Sequence, residues 1–116
     1  MILTLDLDSD RPLFLQVADA IKRSLAHGEI GPGDQLPAGR ELAMSLDVSL
    51  ETVQRAYRQL AEQDIVTSRV GRGTRIANTV DPTAFGIEAE VRQLVDQARN
   101  FGISKTQLLQ VITDAY

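Results

Sequence analysis

The sequence predicts a mainly α-helical fold with one small β wing. Three observations lead to this prediction. Apolar residues recur at helical spacing in several segments, two short strand-like runs flank the turn "GRG", and only a tight connection separates the second and third helical segments. The order helix, helix, helix, hairpin is that of a winged helix-turn-helix domain. Two further helical segments follow it, and we expect them to form a C-terminal dimerisation hairpin.

The start of the chain is expected to contain a short strand and a long helix. Residues 1–8 alternate in side-chain type, which is typical of a strand. The helix is expected over about residues 12–27, with Asp10 as its N-cap and Gly28 as its stop. Its apolar residues step every four positions along one side and are Leu13, Val17, Ile21 and Leu25.

A glycine- and proline-rich loop leads to the predicted helix-turn-helix. We expect a short helix over about residues 39–46 and, after a tight connection, a longer helix that Ser49 can cap. The apolar residues of the longer helix share one face, which predicts that this face is buried. They are Val53, Ala56, Tyr57 and Leu60. The opposite face carries Glu51, Gln54, Arg55 and Arg58.

The predicted wing concentrates positive charge in an otherwise acidic chain. Its two strands are expected over residues 65–70 and 74–77, joined by the "GRG" turn. The formal net charge of the chain is −4, yet residues 66–78 contain three arginines and no acid. They are Arg69, Arg72 and Arg75. Because the local field matters more than the total charge for a docking surface, the wing could still face a polyanion.

The segment "NTVDPT" is the best candidate for a domain boundary. We expect a winged helix-turn-helix domain over residues 1–78 and a C-terminal helical dimerisation region over residues 79–116. Two helices of this length cannot bury both apolar faces against each other alone, so a second copy of the chain is the simplest partner. The residues expected at this homodimer interface are Phe85, Val91, Leu94, Val95, Leu108, Leu109 and Ile112.

The same apolar residues could instead line a ligand pocket. So few residues cannot enclose a sizeable pocket within one chain, which favours the interface. A small-molecule effector site shared between two subunits remains an open alternative.

The composition argues against an enzyme and against a metal or cofactor site. The 116 residues include no cysteine and one histidine, so metal and nucleophile constellations are hard to assemble. The carboxylates show no catalytic pairing. We also expect neither a signal peptide nor a membrane-spanning run, which predicts a cytoplasmic protein with no membrane partner.

Four segments in the first two thirds of the chain resemble the GntR family of bacterial transcription regulators. They are "PLFLQVADAI" at 12–21, "GEIGPGDQLPAGRELAMSLDVS" at 28–49, "TVQRAYRQLAEQDIV" at 52–66 and "GRGTRI" at 71–76. With only two helices after the wing, the chain is similar to the YtrA subfamily. The resemblance implies a homodimeric regulator, here expected to be a repressor, that binds a pseudo-palindromic operator in double-stranded DNA. The expected DNA contacts are Arg40, Ser49, Thr52, Gln54, Arg55, Arg58, Gly71, Arg72, Gly73 and Thr74.

These expected contacts have different chemistry. Gln54 and Arg55 suit base edges in the major groove, whereas Arg58, one turn later, suits a phosphate. Arg72, between two glycines, can enter a narrow minor groove. Arg40 can reach a phosphate. The alternatives are a solvated polar face for the helix and an ion pair with a neighbouring acid for Arg40.

Two departures from the family pattern affect the expected operator more than the expected function. Gly39 stands where the family usually has a glutamate, and the third helix begins with Leu50 and Glu51 instead of arginine or proline followed by a small polar residue. Leucine can meet a thymine methyl group and glutamate a cytosine amino group. For Glu51 we favour a structural role at the helix start. A winged helix that binds protein, or a regulator that senses a small molecule, are the alternative functions.

Overall fold

A computed structural model describes residues 3–116, and the chain divides into the units Met1–Phe85 and Gly86–Tyr116. In chain order the elements are α1 (Leu13–Ala26), α2 (Gly39–Leu46), α3 (Leu50–Glu62), β1 (Val66–Arg69), β2 (Gly73–Ile76), a 3₁₀ helix (Pro82–Phe85), α4 (Ile87–Asn100) and α5 (Lys105–Ala115). The predicted fold class, mainly helical with a small β wing, is confirmed. The units part after Phe85, later in the chain than the boundary predicted after residue 78.

The first unit is built around a core that its helices and its hairpin share. Helix α1 packs against α3 and the 3₁₀ helix, while α3 also packs against α2 and β1. The apolar stripes predicted from the sequence supply this core, because each helix turns its stripe inwards. The largest fully buried side chains are Ile21, Leu25, Leu60, Ile76, Val17 and Val53.

The segment before α1 is not a strand, so that prediction is wrong over residues 3–8, while residues 1 and 2 lie outside the described part. The side chain of Gln16 instead makes hydrogen bonds with the backbone of this segment. Its Oε1 accepts from the backbone N–H of Asp6 at 2.7 Å, and its Nε2 donates to the carbonyl of Asp6 at 3.0 Å. Asp10 does not cap α1 either, because the N-cap is Pro12 and makes no side-chain hydrogen bond.

The connection between α2 and α3 is as tight as the sequence predicted. Helix α2 ends at Asp47, whose backbone is left-handed with φ 55°. The hydroxyl of Ser49 then accepts from the backbone N–H of Thr52 at 3.1 Å, which confirms Ser49 as the cap of α3. This cap fixes where α3 begins, and therefore which side chains occupy its first exposed turn.

The wing is an antiparallel hairpin whose base is fastened to the loop before α2. Val66 lies opposite Ile76, and Arg69 opposite Gly73. Gly71 and Gly73 have φ values of 78° and 73°, which side-chain-bearing residues rarely adopt. The backbone N–H of Leu36 donates to the carbonyl of Thr74 at 2.8 Å. The loop thus pairs with β2 and holds the wing in place.

Tyr57 connects α3 to the loop that precedes α2. Its hydroxyl donates to the carbonyl of Pro37 at 2.6 Å, and its side chain is buried. Burial raises the pKa of Tyr57 from its ordinary value of 10.0 to about 12, with the charge of Glu41 adding to the shift. The folded state therefore favours the neutral phenol. The neutral phenol of Tyr57 therefore contributes stability that is fully present below pH 10 and is lost as the pH rises towards about 12.

We expect Tyr57→Phe to lower the free energy of unfolding by about 1–2 kcal/mol at pH 7, because the half-buried carbonyl of Pro37 loses its donor. Urea denaturation followed by circular dichroism measures this loss. The variant should also lose less stability than the parent protein between pH 10 and about 12. Equal alkaline losses in the two proteins would contradict the assigned role.

The second unit consists of two amphipathic helices that are not packed against each other along their lengths. Helix α5 begins with a capping box: the Ser104 hydroxyl accepts from the N–H of Gln107 at 3.2 Å, and the Gln107 side chain accepts from the N–H of Ser104 at 2.8 Å. A turn at Gly102, with φ 71°, separates the helices. Each helix is well defined locally, but its apolar face is largely open. A C-terminal hairpin for dimerisation therefore stays a prediction.

Candidate nucleic-acid interface

The first turns of α3 present the polar face that the sequence predicted. Glu51, Gln54, Arg55 and Arg58 are exposed, and Thr52 is half-buried. The opposite face lies in the core, so α3 projects one complete polar side from a rigid support. The hydroxyl of Ser49, one of the expected contacts, is hydrogen-bonded to the hydroxyl of Thr52, with the two side-chain oxygens 2.8 Å apart.

Arg55 is held by an aromatic residue that the sequence did not single out. Its guanidinium carbon lies 4.0 Å from the ring centroid of Phe14 on α1. At this distance the ring attracts the cation, and the N–H groups at the edge of the guanidinium remain free to donate. Helical spacing places Phe14 beside the buried stripe of α1. Its pairing with α3 is a tertiary contact, which spacing alone does not reveal.

Arg40 lies in the first turn of α2, and its side chain is exposed. Within the part of the chain that the structure describes, it forms no ion pair with Glu41 or Asp47. Arg40 lines a shallow surface depression that it shares with the start of α3. The lining residues are Arg40, Ala43, Met44, Asp47, Val48 and Leu50.

The wing carries its arginines on one side and the hydroxyl groups of Ser68 and Thr74 on the other. Strand alternation puts Arg69 and Arg75 on the side away from the core, and with Arg72 they line one depression. The hydroxyl of Thr74 points to the other side, where it is 2.9 Å from the hydroxyl of Ser68. Of the expected wing contacts, Arg72 therefore lies with the basic surface, and Thr74 does not.

The three wing arginines differ in how firmly they are held. Arg75 donates to the carbonyl of Gly33 at 3.3 Å and to the side chain of Gln35 at 3.4 Å. Arg69 and Arg72 have no acidic partner among residues 3–116. The tip turn closes when the backbone N–H of Arg72 donates to the carbonyl of Arg69 at 3.0 Å. Arg72 is thus an exposed cation at the end of a braced hairpin.

The C-terminal unit exposes most of the residues expected at a dimer interface. Leu94 is 41% exposed and Leu109 is 51% exposed, whereas Val95 and Leu108 are partly covered. Val91 and Ile112 are exposed too. The apolar side chains that the sequence reasoning left out are Ile87, Phe101, Ile103, Val111 and Tyr116, which are also exposed.

Phe85 has a different place from the other expected interface residues. It ends the 3₁₀ helix and packs against the core of the first unit. Its role in dimerisation stays a prediction.

The described residues offer no sign of metal chemistry. Across positions 3–116, no three potential metal ligands of the His, Cys, Asp and Glu types come together. No helix in that same part of the chain is long and apolar enough to cross a membrane.

Comparisons with known proteins agree with this fold. The family described as "Bacterial regulatory proteins, gntR family" matches residues 13–76. The "Uncharacterized HTH-type transcriptional regulator YhcF" of Bacillus subtilis is 37% identical over 108 residues, which cover 90% of this chain and 89% of that protein.

Two solved structures are similar to this chain. YtrA from Sulfolobus acidocaldarius, described as a GntR-family transcription factor, has a TM-score of 0.69 at 32% identity, with 86% of this chain and 99% of that chain covered. The AraR DNA-binding domain in complex with operator ORE1 has a TM-score of 0.57 at 28% identity, with 66% of this chain and 94% of that chain covered.

Proposed function

This chain belongs to the GntR family of bacterial regulatory proteins, in its YtrA-like subfamily, and we propose that it acts as a homodimeric repressor at a pseudo-palindromic operator. It is a DNA-binding transcriptional regulator and not an enzyme. The observation that carries the proposal is the exposed polar face of α3 beside an arginine-tipped wing, both within one unit.

Helix α3 is the proposed reading helix in the major groove. Its first turns carry side chains that can donate to and accept from base edges, and Ser49 fixes where those turns begin. Gln54 is best suited to a base, because its side chain is exposed and can pair with adenine. Arg55, stacked over Phe14, is better suited to a phosphate. Arg58, one turn later, suits a phosphate as well.

The wing is the proposed minor-groove element. Arg72 stands between two glycines, so the backbone can approach the duplex closely and the guanidinium can enter a narrow groove. Arg69, on the same side of the hairpin, would meet the neighbouring phosphates. Arg40 supplies a further phosphate contact from the start of α2, since no acid neutralises it among the described residues.

Dimerisation is proposed to occur through α4 and α5. Their apolar faces are open and are not packed on each other, so they need a further apolar surface. A second copy supplies a matching surface by symmetry. Two wings and two reading helices would then meet half-sites about 34 Å apart, which is one turn of DNA.

Repression would follow from occupation of a promoter, and the DNA partner implies action in the cytoplasm. The alternative is a small-molecule effector bound between the subunits, which calorimetry against a metabolite panel tests. Tight binding that Leu94→Ala abolishes would favour such a sensor.

The proposal is tested by selecting duplexes from a random library with the purified full-length protein. We expect a palindromic consensus and an affinity that falls steeply with salt, because arginines displace counterions from DNA. Arg72→Ala should weaken retention of the selected duplex and lower the slope of log K against log salt by about 1 per subunit. Arg23→Ala, an exposed arginine on α1 outside the expected contacts, is the matched control.

A winged helix that binds protein would give the opposite results. The library would yield no consensus, and Arg72→Ala would leave DNA retention unchanged. Either result would overturn the proposed function.

A further inference from the structure

We propose that Leu50 reads the 5-methyl group of a thymine in each half-site, and that Gly39 determines this specificity by leaving room for Leu50. The inference rests on the proposed function and deepens it. It connects Gly39, the first residue of α2, with Leu50, the first residue of α3.

The two positions meet in space although they belong to different helices. A Cβ atom built on Gly39 would lie 3.2 Å from Cδ1 of Leu50, which is tighter than an ordinary van der Waals contact. The same atom would lie 3.9 Å from Cγ of Gln54 and 4.0 Å from Cγ1 of Val53. A side chain at position 39 would therefore force Leu50 to shift by a few tenths of an ångström, whereas Gln54 and Val53 would remain at ordinary contact distances.

The backbone does not require a glycine at this position. Gly39 is the first residue of α2, and it is absent from the glycines with positive φ. Glycine inside a helix lowers the stability of the fold relative to alanine, because folding must restrict its more flexible backbone. Leu50 is the side chain that would have to move if residue 39 carried a Cβ atom.

Leu50 occupies a position from which DNA can be read. It is the first residue of α3, and the N-terminal residues of a reading helix contact base edges. Leucine has no hydrogen-bonding group, so the thymine methyl is the feature of the major groove that it can recognise. The side chain is half-buried against α2 and is therefore held in one place, with part of its surface free.

Gln54 lies one helical turn after Leu50 on the same edge of α3. An amide at this position can pair with the N6 and N7 atoms of adenine. The two side chains would thus read A·T pairs at adjacent places, one through the methyl group and one through hydrogen bonds. A methyl group at position 39 would press on Leu50 and would leave Gln54 in ordinary van der Waals contact.

The direct test uses the selected duplex and changes only the DNA. Each half-site thymine is replaced in turn by deoxyuridine, which removes the 5-methyl group and keeps base pairing. We expect one position per half-site at which affinity of the parent protein falls about fourfold, the size of returning one methyl-sized group to water. Replacement of a thymine outside the half-sites is the control.

The protein side of the test identifies the reader. Leu50→Ala should bind the thymine and deoxyuridine duplexes equally, because it lacks the side chain that meets the methyl group. Gly39→Ala should also reduce the discrimination, since its Cβ displaces Leu50. In the Leu50→Ala background, Gly39→Ala should change affinity for neither duplex. Circular dichroism on each variant checks that the fold is kept.

The outcomes separate the inference from the function on which it rests. A palindromic consensus without any deoxyuridine effect would overturn the inference and leave the proposed function standing. A full deoxyuridine effect in Leu50→Ala would also overturn it, because another residue would then read the methyl group. Failure to select any sequence would overturn both.

Discussion

The double variant Leu94→Glu/Leu109→Glu is expected to sediment as a single chain and to bind the selected duplex at least about 100-fold more weakly than the parent protein. Both leucines are about half exposed, on helices that do not cover each other. In a dimer they would become buried, and an unpaired carboxylate in that position opposes association. The affinity falls because single chains bind the two half-sites independently, whereas the two subunits of a dimer bind them as one linked unit. Sedimentation velocity and fluorescence anisotropy measure the two effects.

The control for this experiment adds the same charge at polar positions of the same helices. Gln93→Glu/Thr106→Glu changes two exposed residues outside the expected interface, so it should leave assembly unchanged. The first unit has its own core, and far-ultraviolet circular dichroism should show its helices intact in both double variants. A Leu94→Glu/Leu109→Glu protein that still sediments as a dimer would contradict the proposed interface.

The elements that the sequence predicted well are those that depend on local chemistry. Gly28 follows α1 with φ 75°, and Ser49 caps α3, because a stop and a cap need only their immediate neighbours. The wing was predicted for the same reason, since its turn residues and its strands are adjacent in the chain. Helical spacing then identified which faces of α1 and α3 are buried.

The sequence predicted less well the segments whose structure depends on contacts with residues outside the segment. The first residues alternate as a strand does, yet residues 3–8 form no strand, and the side chain of Gln16 bonds both backbone groups of Asp6. Phe85 lies in the 3₁₀ helix before α4 and packs against the core of the first unit, while its role in dimerisation stays a prediction. The spacing of apolar residues shows which side chains share one face of an element, but not which surface packs against that face.

The candidate site shows the same difference between local features, which the sequence predicts, and contacts between elements, which it does not. The exposure of Gln54, Arg58 and Arg72 could be predicted, because each lies on the polar side of its own element. The contacts that position the site are between elements, as in Arg55 over Phe14 and Leu50 against Gly39. Such pairs become visible only when the helices are packed.

Gln54→Ala is expected to weaken binding to the selected duplex by about 30- to 20,000-fold, since one bidentate base contact is worth about 1–3 kcal/mol and a dimer loses two. The loss should be specific. At one base pair per half-site, the variant should no longer prefer the selected base, while its salt dependence stays the same. Anisotropy titrations against a panel of single-base substitutions measure both quantities.

Arg55→Ala is the informative comparison, because Arg55 is the neighbouring residue on the same exposed turn. Its guanidinium is stacked on Phe14, so its free N–H edge suits a phosphate oxygen. Arg55→Ala should therefore weaken binding to all duplexes of the panel by a similar factor and lower the salt slope by about 1 per subunit. Phe14→Leu should act in the same direction with a smaller effect, since it releases the guanidinium without removing its charge. Loss of base preference in Arg55→Ala, with Gln54→Ala keeping its preference, would reverse the two assignments and make the stacked arginine the base-reading residue.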